Sequence, residues 1–290
     1  MLPRSLHYVT RARSPDMATA VFFHAHPDDE SISTAGTMML AKAAGHRVVL
    51  VTATDGALGE PTPGSVPEGS TLAEVRDEEL HRAAAVMGVD RVVTFGYPDS
   101  GMEGEPTNEV PGCFWQTPVD TAAERLAAIL EEEDASVFTI YDDHGNYGHP
   151  DHIQVHRVGV RAAELAEVEL VYEATMNRDN LRWLTEQQDF LDADDEGLSE
   201  EIEARRQQLR ESDIGTPAAL ITHGVDVSSV IDRKKLTMAE HRSQINEESF
   251  FMALPSEAFE AAFGTEWFVL RGQSSGGPPY STDLFAGLES

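Results

Sequence analysis

Two short stretches of this 290-residue chain gather the side chains that bind metal ions and move protons. The first, HAHPDDES (His24–Ser31), sets two histidines beside two aspartates and a proline that stiffens the turn. The second, DDHGNYGHPDH (Asp142–His152), places His149 and His152 around Pro150 and Asp151. A histidine and an aspartate from the first stretch with a histidine from the second make a nitrogen and oxygen donor set suited to Zn2+, with positions left for water and substrate. This reading assigns His26, Asp29 and His152 as the ligands. Adjacent residues in a turn point in different directions, so Asp28 stays off the metal that Asp29 binds and is free to take a proton from metal-bound water. His149 and His152 are separated by a Pro-Asp step, which lets one bind metal while the other faces the reacting group. Asp151 can accept a hydrogen bond from a histidine N–H and fix its tautomer.

Helix capping is a blander account of the same residues. Asp28, Asp29 and Glu30 would favour the positive end of a helix beginning at Ser31, and Asp151 would cap the helix after Pro150. Capping does not explain two histidines converging from separate turns, and the site reading is preferred on that ground. His24 lies inside a strand-like run and is expected in the core or behind the ligands. His46, His81, His144, His156 and His223 are expected to be structural or exposed.

The elements that must bring these stretches together alternate between two periodicities. TAVFFHA (Thr19–Ala25), RVVLVTAT (Arg47–Thr54), RVVTFGY (Arg91–Tyr97), ASVFTIYD (Ala135–Asp142) and ELVYEATM (Glu169–Met176) are β-branched or aromatic runs that read as strands buried on both faces. Between them, Ser31–Ala44, Thr71–Met87, Val119–Glu133 and Asp151–Ala166 read as helices, the first two closed by Gly45 and Gly88. This predicts an α/β fold with a doubly wound, mostly parallel, Rossmann-like sheet. With strand order 3-2-1-4-5, strands 1 and 4 are neighbours, and their carboxyl ends border the switch-point crevice where both polar turns would meet. A dinucleotide-binding fold would need a glycine-rich turn after the first strand, and none is present. Leu184–Asp213 is strongly charged and expected as a solvent-facing helical insertion, Asp226–Ile245 as a short strand followed by a helix, and Arg271–Asp283 as a connector. Residues 1–17 are expected to be a disordered or extended leader, and 18–290 one α/β domain.

Acidic residues outnumber basic ones 51 to 21, giving a formal charge of −30 that repels phosphate backbones, so nucleic acid is not an expected partner. Such a field suits a neutral glycoside better than an anionic substrate. The scarcity of lysine (Lys42, Lys234 and Lys235 alone) fits a GC-rich or salt-adapted genome. A single cysteine, Cys113, excludes an intramolecular disulfide and a thiolate metal cage. No run approaches the roughly 18 apolar residues of a membrane span, and the first 16 residues carry three arginines but no apolar h-region. A cytoplasmic protein is expected, with homo-oligomerisation left open.

AHPDDE at Ala25–Glu30, GHPDH at Gly148–His152 and HRSQ at His241–Gln244 resemble the PIG-L/LmbE-like zinc N-deacetylases, and within them the mycothiol-pathway branch. The resemblance runs from about Ala18 to Ile245. It implies a cytoplasmic hydrolase that removes an acetyl group from an N-acetylglucosamine-type substrate, plausibly N-acetylglucosaminyl-inositol, by attack of a zinc-bound water. It implies Zn2+, or Fe2+ in its place, on His26, Asp29 and His152, and Asp28 as general base. It gives His149 the task of stabilising the transition state or protonating the leaving amine, with Asp151 tuning it, and Tyr147 that of a mobile donor to the oxyanion. Ser33 and Arg76 match sugar- and inositol-contacting positions, and Asp99 a substrate-contacting aspartate. The S-conjugate amidase of the same branch is the alternative enzyme. It tends to carry lysine at the position of Ser33, which favours the deacetylase. A metal-dependent sugar-binding protein without hydrolysis would have no need of Asp28 and His149 beside its metal. His241 is expected to secure the C-terminal helix near the site.

Overall fold

The computed structural model describes residues 17–186, 207, 213–246, 249–273 and 278–288. Apart from Met17, residues 184–186, Gln207 and Asp213, the expected leader and charged insertion lie outside them.

The apolar runs form β1 (Thr19–His24), β2 (Arg47–Thr54), β3 (Arg91–Tyr97), β4 (Ala135–Tyr141) and β5 (Leu170–Thr175). They pair in parallel as β3-β2-β1-β4-β5, so the expected order is observed. Every residue of β1 is buried, which is what a central strand covered on both faces requires. Two further strands, β6 (His223–Asp226) and β7 (Thr265–Leu270), extend the sheet antiparallel to seven strands, in the order β5-β7-β6. β6 lies close to the expected short strand, whereas β7 was not anticipated.

The helix expected over Ser31–Ala44 is broken into α1 (Asp29–Ser33) and α2 (Ala35–Ala43) at Thr34, whose φ is −141°. Two long-range contacts explain the break. The Thr34 hydroxyl bonds His24 Nε2 at 2.8 Å, and the Glu266 carboxylate of β7 accepts the amides of Gly36 and Thr37 at 2.8 Å each. An anion on those free amides gives α2 its own N-terminus. Glu266 is itself matched by buried Lys234 at 2.5 Å, from a helix at Ile231–Glu240.

The remaining crossovers are α3 (Leu72–Met87), α4 (Val119–Glu132), the four-residue turn α5 (Gly145–Gly148) and α6 (Pro150–Leu165). Thr71 and Glu74 form a capping box at the start of α3, and Gly88 closes it with φ 80°. Among the described residues no helix is long and apolar enough to cross a membrane.

Candidate metal centre and its surroundings

The first polar turn leaves β1 and the second leaves β4, and adjacency of those strands brings the turns together. His26 Nδ1 lies 3.3 Å from Asp29 Oδ2, His152 Nε2 lies 3.4 Å from the same oxygen, and the two histidine nitrogens are 3.3 Å apart. Donors bound at 2.0–2.1 Å to one tetrahedral ion stand roughly 3.3–3.4 Å from one another. Three lone-pair donors at this spacing fit a shared divalent cation, and a second group, His26, Asp99, His149 and Asp151, also brings its ligand atoms within 4.8 Å of one another. His26, Asp29 and His152 are all buried.

Of the three ligand candidates, His26 is the one oriented from behind, whereas the far nitrogen of His152, Nδ1, is buried without a hydrogen-bond partner among the described residues. The far nitrogen of His26, Nε2, faces Asp151 Oδ2 at 3.3 Å and Asp99 Oδ1 at 3.7 Å. Asp151 is fixed in turn by the amide and hydroxyl of Ser100, at 2.9 and 2.5 Å. This is the carboxylate–histidine–metal arrangement that sets which imidazole nitrogen points at the ion. Burial opposes charge on His26, but Asp151, Asp29 and Asp99 outweigh it and hold its pKa well above the usual value. Burial likewise opposes charge on Asp29, yet His152 and His26 keep its carboxyl well below the usual range.

Local backbone chemistry explains the second turn. Gly145 has φ 65°, and a Cβ there would meet His152 Cβ at 2.7 Å and the Ile153 amide at 2.8 Å, so only glycine lets the turn approach α6. Pro150 opens α6, where its missing N–H costs nothing, and the His149 ring caps that helix by accepting the Asp151 amide on Nδ1 at 3.1 Å. That bond puts the proton of a neutral His149 on Nε2. Burial, with His26 and His152 adding to it, pulls the His149 pKa down to about 4. The resemblance pairs Asp151 with His149. In the structure the carboxylate reaches His26, and it is the backbone of Asp151 that reaches His149.

Asp28 lies outside the ligand triangle. Its backbone φ is 133°, a conformation that L residues rarely adopt. Asp28 Oδ2 takes the Arg76 guanidinium at 3.0 Å. Burial raises its pKa and Arg76 partly offsets the rise. Arg76 is buried, and it also donates to the carbonyls of Pro27 and Gly56 at 2.7 Å each, so it braces the loop that carries Asp28.

Asp99 is buried and ties two loops together, accepting the amides of Gly101 at 2.9 Å and Leu58 at 3.3 Å. Ser33 is half-buried at the last position of α1 and makes no hydrogen bond to this cluster among the described residues. Tyr147 sits on the glycine-flanked turn, 45% exposed, with its hydroxyl 3.4 Å from His152 Nε2. Crowding at the hydroxyl end and the charge of Asp29 push the phenol pKa up, so it stays a proton donor at neutral pH.

Several participants were given no role, or only a vague one, from the sequence. Tyr141, the last residue of β4, bonds His24 Nδ1 at 2.7 Å, and burial followed by the charge of Asp29 keeps its hydroxyl protonated. His24 is pulled down to about 4 by burial and is a neutral member of the layer behind the ligands. Glu30 and His241 form a buried pair at 2.6 Å, so the HRSQ turn does reach this site. The signals were the glutamate that directly follows the two aspartates and the polar HRSQ run after a helix.

The family model described as GlcNAc-PI de-N-acetylase matches residues 21–163, a span holding all three ligand candidates. A 1D-myo-inositol 2-acetamido-2-deoxy-alpha-D-glucopyranoside deacetylase of Thermobifida fusca is 39% identical over 287 residues, covering 91% of this chain and 97% of that protein. The deacetylase of the same name from Acidothermus cellulolyticus is 38% identical, covering 92% of this chain and 94% of its own length. Among solved structures, N,N'-diacetylchitobiose deacetylase from Pyrococcus horikoshii superposes with a TM-score of 0.52 at 18% identity, covering 89% of this chain and 84% of that one, a likeness of fold.

Proposed function

The chain belongs to the PIG-L family of de-N-acetylases, and from that membership we propose that it hydrolyses the acetamide of a 2-acetamido-2-deoxy-glucopyranosyl inositol, releasing acetate and the free amine. The observation that carries the reading is the donor triangle of His26, Asp29 and His152 with a carboxylate, Asp28, beside it and outside it. We assign Zn2+ to the triangle, since two imidazoles and a carboxylate suit it, with Fe2+ as the competitor that elemental analysis distinguishes. When bound, the ion supplies Lewis acidity toward the carbonyl and the attacking water.

The protein's own groups supply the rest. Asp28 takes a proton from the attacking water, and its burial makes it a stronger base than an exposed carboxylate. The new C–O bond turns the carbonyl oxygen into an oxyanion, and the protonated Tyr147 hydroxyl donates to it. His149 has two candidate tasks. Its cap bond and lowered pKa favour a neutral Nε2–H that stabilises the transition state over an imidazolium acid. The proton held by Asp28 then passes to the departing nitrogen as the C–N bond breaks. The acetamide and one water balance to acetate and an ammonium: one water proton reaches the nitrogen by way of Asp28, and the other leaves the new carboxylic acid for the free amine. Ser33, Arg76 and Asp99 are proposed to face the sugar and inositol, with Arg76 doing so while bracing Asp28.

Metal-loaded protein should release acetate from the N-acetylglucosaminyl-inositol and lose that activity on chelation. Preference for a bulky S-conjugate amide would instead identify an amidase, and a protein that binds the glycoside without turnover would end the hydrolase reading.

A further inference from the structure

The strained backbone of Asp28 needs a cause. A non-glycine residue at φ 133° is strained and persists only where its surroundings fix it. The Asp28 N–H donates to Glu30 Oε2 at 2.9 Å, and its carbonyl accepts the amides of Ser31 at 3.0 Å and Ile32 at 3.3 Å. Glu30 therefore holds the Asp28 peptide from the donor side, where no helix bond is available.

Glu30 is fully buried, and a carboxylate in that position must be oriented and compensated. Its other oxygen, Oε1, receives the Ser31 hydroxyl and His241 Nε2, each at 2.6 Å, which leaves Oε2 for Asp28. Among the described residues no lysine or arginine lies within ion-pair distance of Glu30, and His241 is the cation-capable group bonded to it. His241 is itself buried, and the turn carrying it is anchored to α3 by Glu79, which accepts the Ser243 amide and hydroxyl at 2.9 and 2.6 Å. A chain of contacts thus runs from α3 through the HRSQ turn to Glu30 and on to the Asp28 peptide.

We propose that Glu30 and His241 are positioning residues for the general base: His241 orients the Glu30 carboxylate, which locks the Asp28 peptide in the conformation that separates its side chain from the metal ligands. The role of Asp28 as base rests on the proposed function. The lock itself rests on the hydrogen bonds.

The test uses the full-length, metal-loaded protein. His241→Leu removes the donor, whereas His241→Gln retains an N–H at the place of Nε2. His241→Leu is expected to lower kcat roughly 10- to 100-fold, with KM within about twofold and metal content unchanged, and His241→Gln to recover most of the loss. In an Asp28→Asn background His241→Leu should cost nothing further, because the group being positioned is gone. Hydrogen exchange at the Asp28 amide supplies a readout that needs no substrate: slow in the parent, fast in His241→Leu, slow again in His241→Gln. Equal loss in both backgrounds, failure of Gln to rescue, or unchanged exchange at Asp28 would overturn the proposal. A parent protein that releases no acetate but shows the expected exchange pattern would sink the deacetylase reading and leave the lock standing.

Discussion

At the scale of single residues, neighbouring carboxylates with opposite duties make the sharpest claim. Asp29 converges on His26 and His152, while Asp28 turns to Arg76. Asp28→Asn should lower kcat by about 100-fold or more while metal content stays near stoichiometric, and Asp29→Asn should lose the metal. Turnover paired with elemental analysis checks both, and loss of metal from the first variant but not the second would reverse the roles. Tyr147→Phe should reduce kcat by at least about tenfold with little change in KM, and an unchanged kcat would remove the phenol from the reaction. The meeting of His26 and His152 was legible because two histidine-bearing turns followed strands that this topology makes neighbours. The partner of Asp151 was not, since proximity in sequence suggested His149 while the packing of α6 against β1 offered His26.

At the scale of elements, the five parallel strands could be read almost to the residue: β1, β2 and β4 from apolar runs covered on both faces, and the edge strand β3, where Phe95 is the one buried residue, from its β-branched and aromatic side chains. The break at Thr34 could not. It depends on His24 and on Glu266, and periodicity within Ser31–Ala44 carries no trace of a carboxylate arriving from residue 266. β7 escaped notice for a related reason, as its alternately buried six-residue pattern follows a helix at Ser256–Phe263 with hardly a break. The turn before α6 yields a prediction of its own kind. Gly145→Ala puts a methyl group 2.7 Å from His152 Cβ and at a φ of 65°. It should cost of order 1–3 kcal/mol and weaken metal binding, read from denaturant unfolding and a metal titration. Unchanged affinity would mean that the ligand does not depend on this close approach.

At the scale of the whole molecule, the end of the sheet opposite the candidate site has a lock of another sort. Glu133, just past α4, accepts Arg47 Nε at 2.5 Å and Arg91 Nη1 at 2.7 Å, joining the first residues of β2 and β3 near the start of β4. Hydrogen bonds from Arg47 and then Arg91 outweigh burial and lower its pKa. A folded-state pKa below the unfolded one gives stability that is complete above the unfolded value of about 4.3 and is lost as pH falls through the folded value. The difference in Tm between the parent and Glu133→Gln should therefore be constant above about pH 5 and narrow in more acidic solution. A difference that stays flat down to about pH 3 would mean the ion pair contributes nothing.

Glu266 and the two amides it serves, Gly36 and Thr37, stand 230 and 229 positions apart. A ribosome completes the HPDDE loop long before it reaches Glu266, so α2 waits for its anionic partner while the intervening strands and helices are made. Nascent chains arrested before Thr265 should accordingly hold every ligand candidate and still lack a settled centre. Such a fragment should therefore hold a divalent ion more weakly than a chain that includes Glu266.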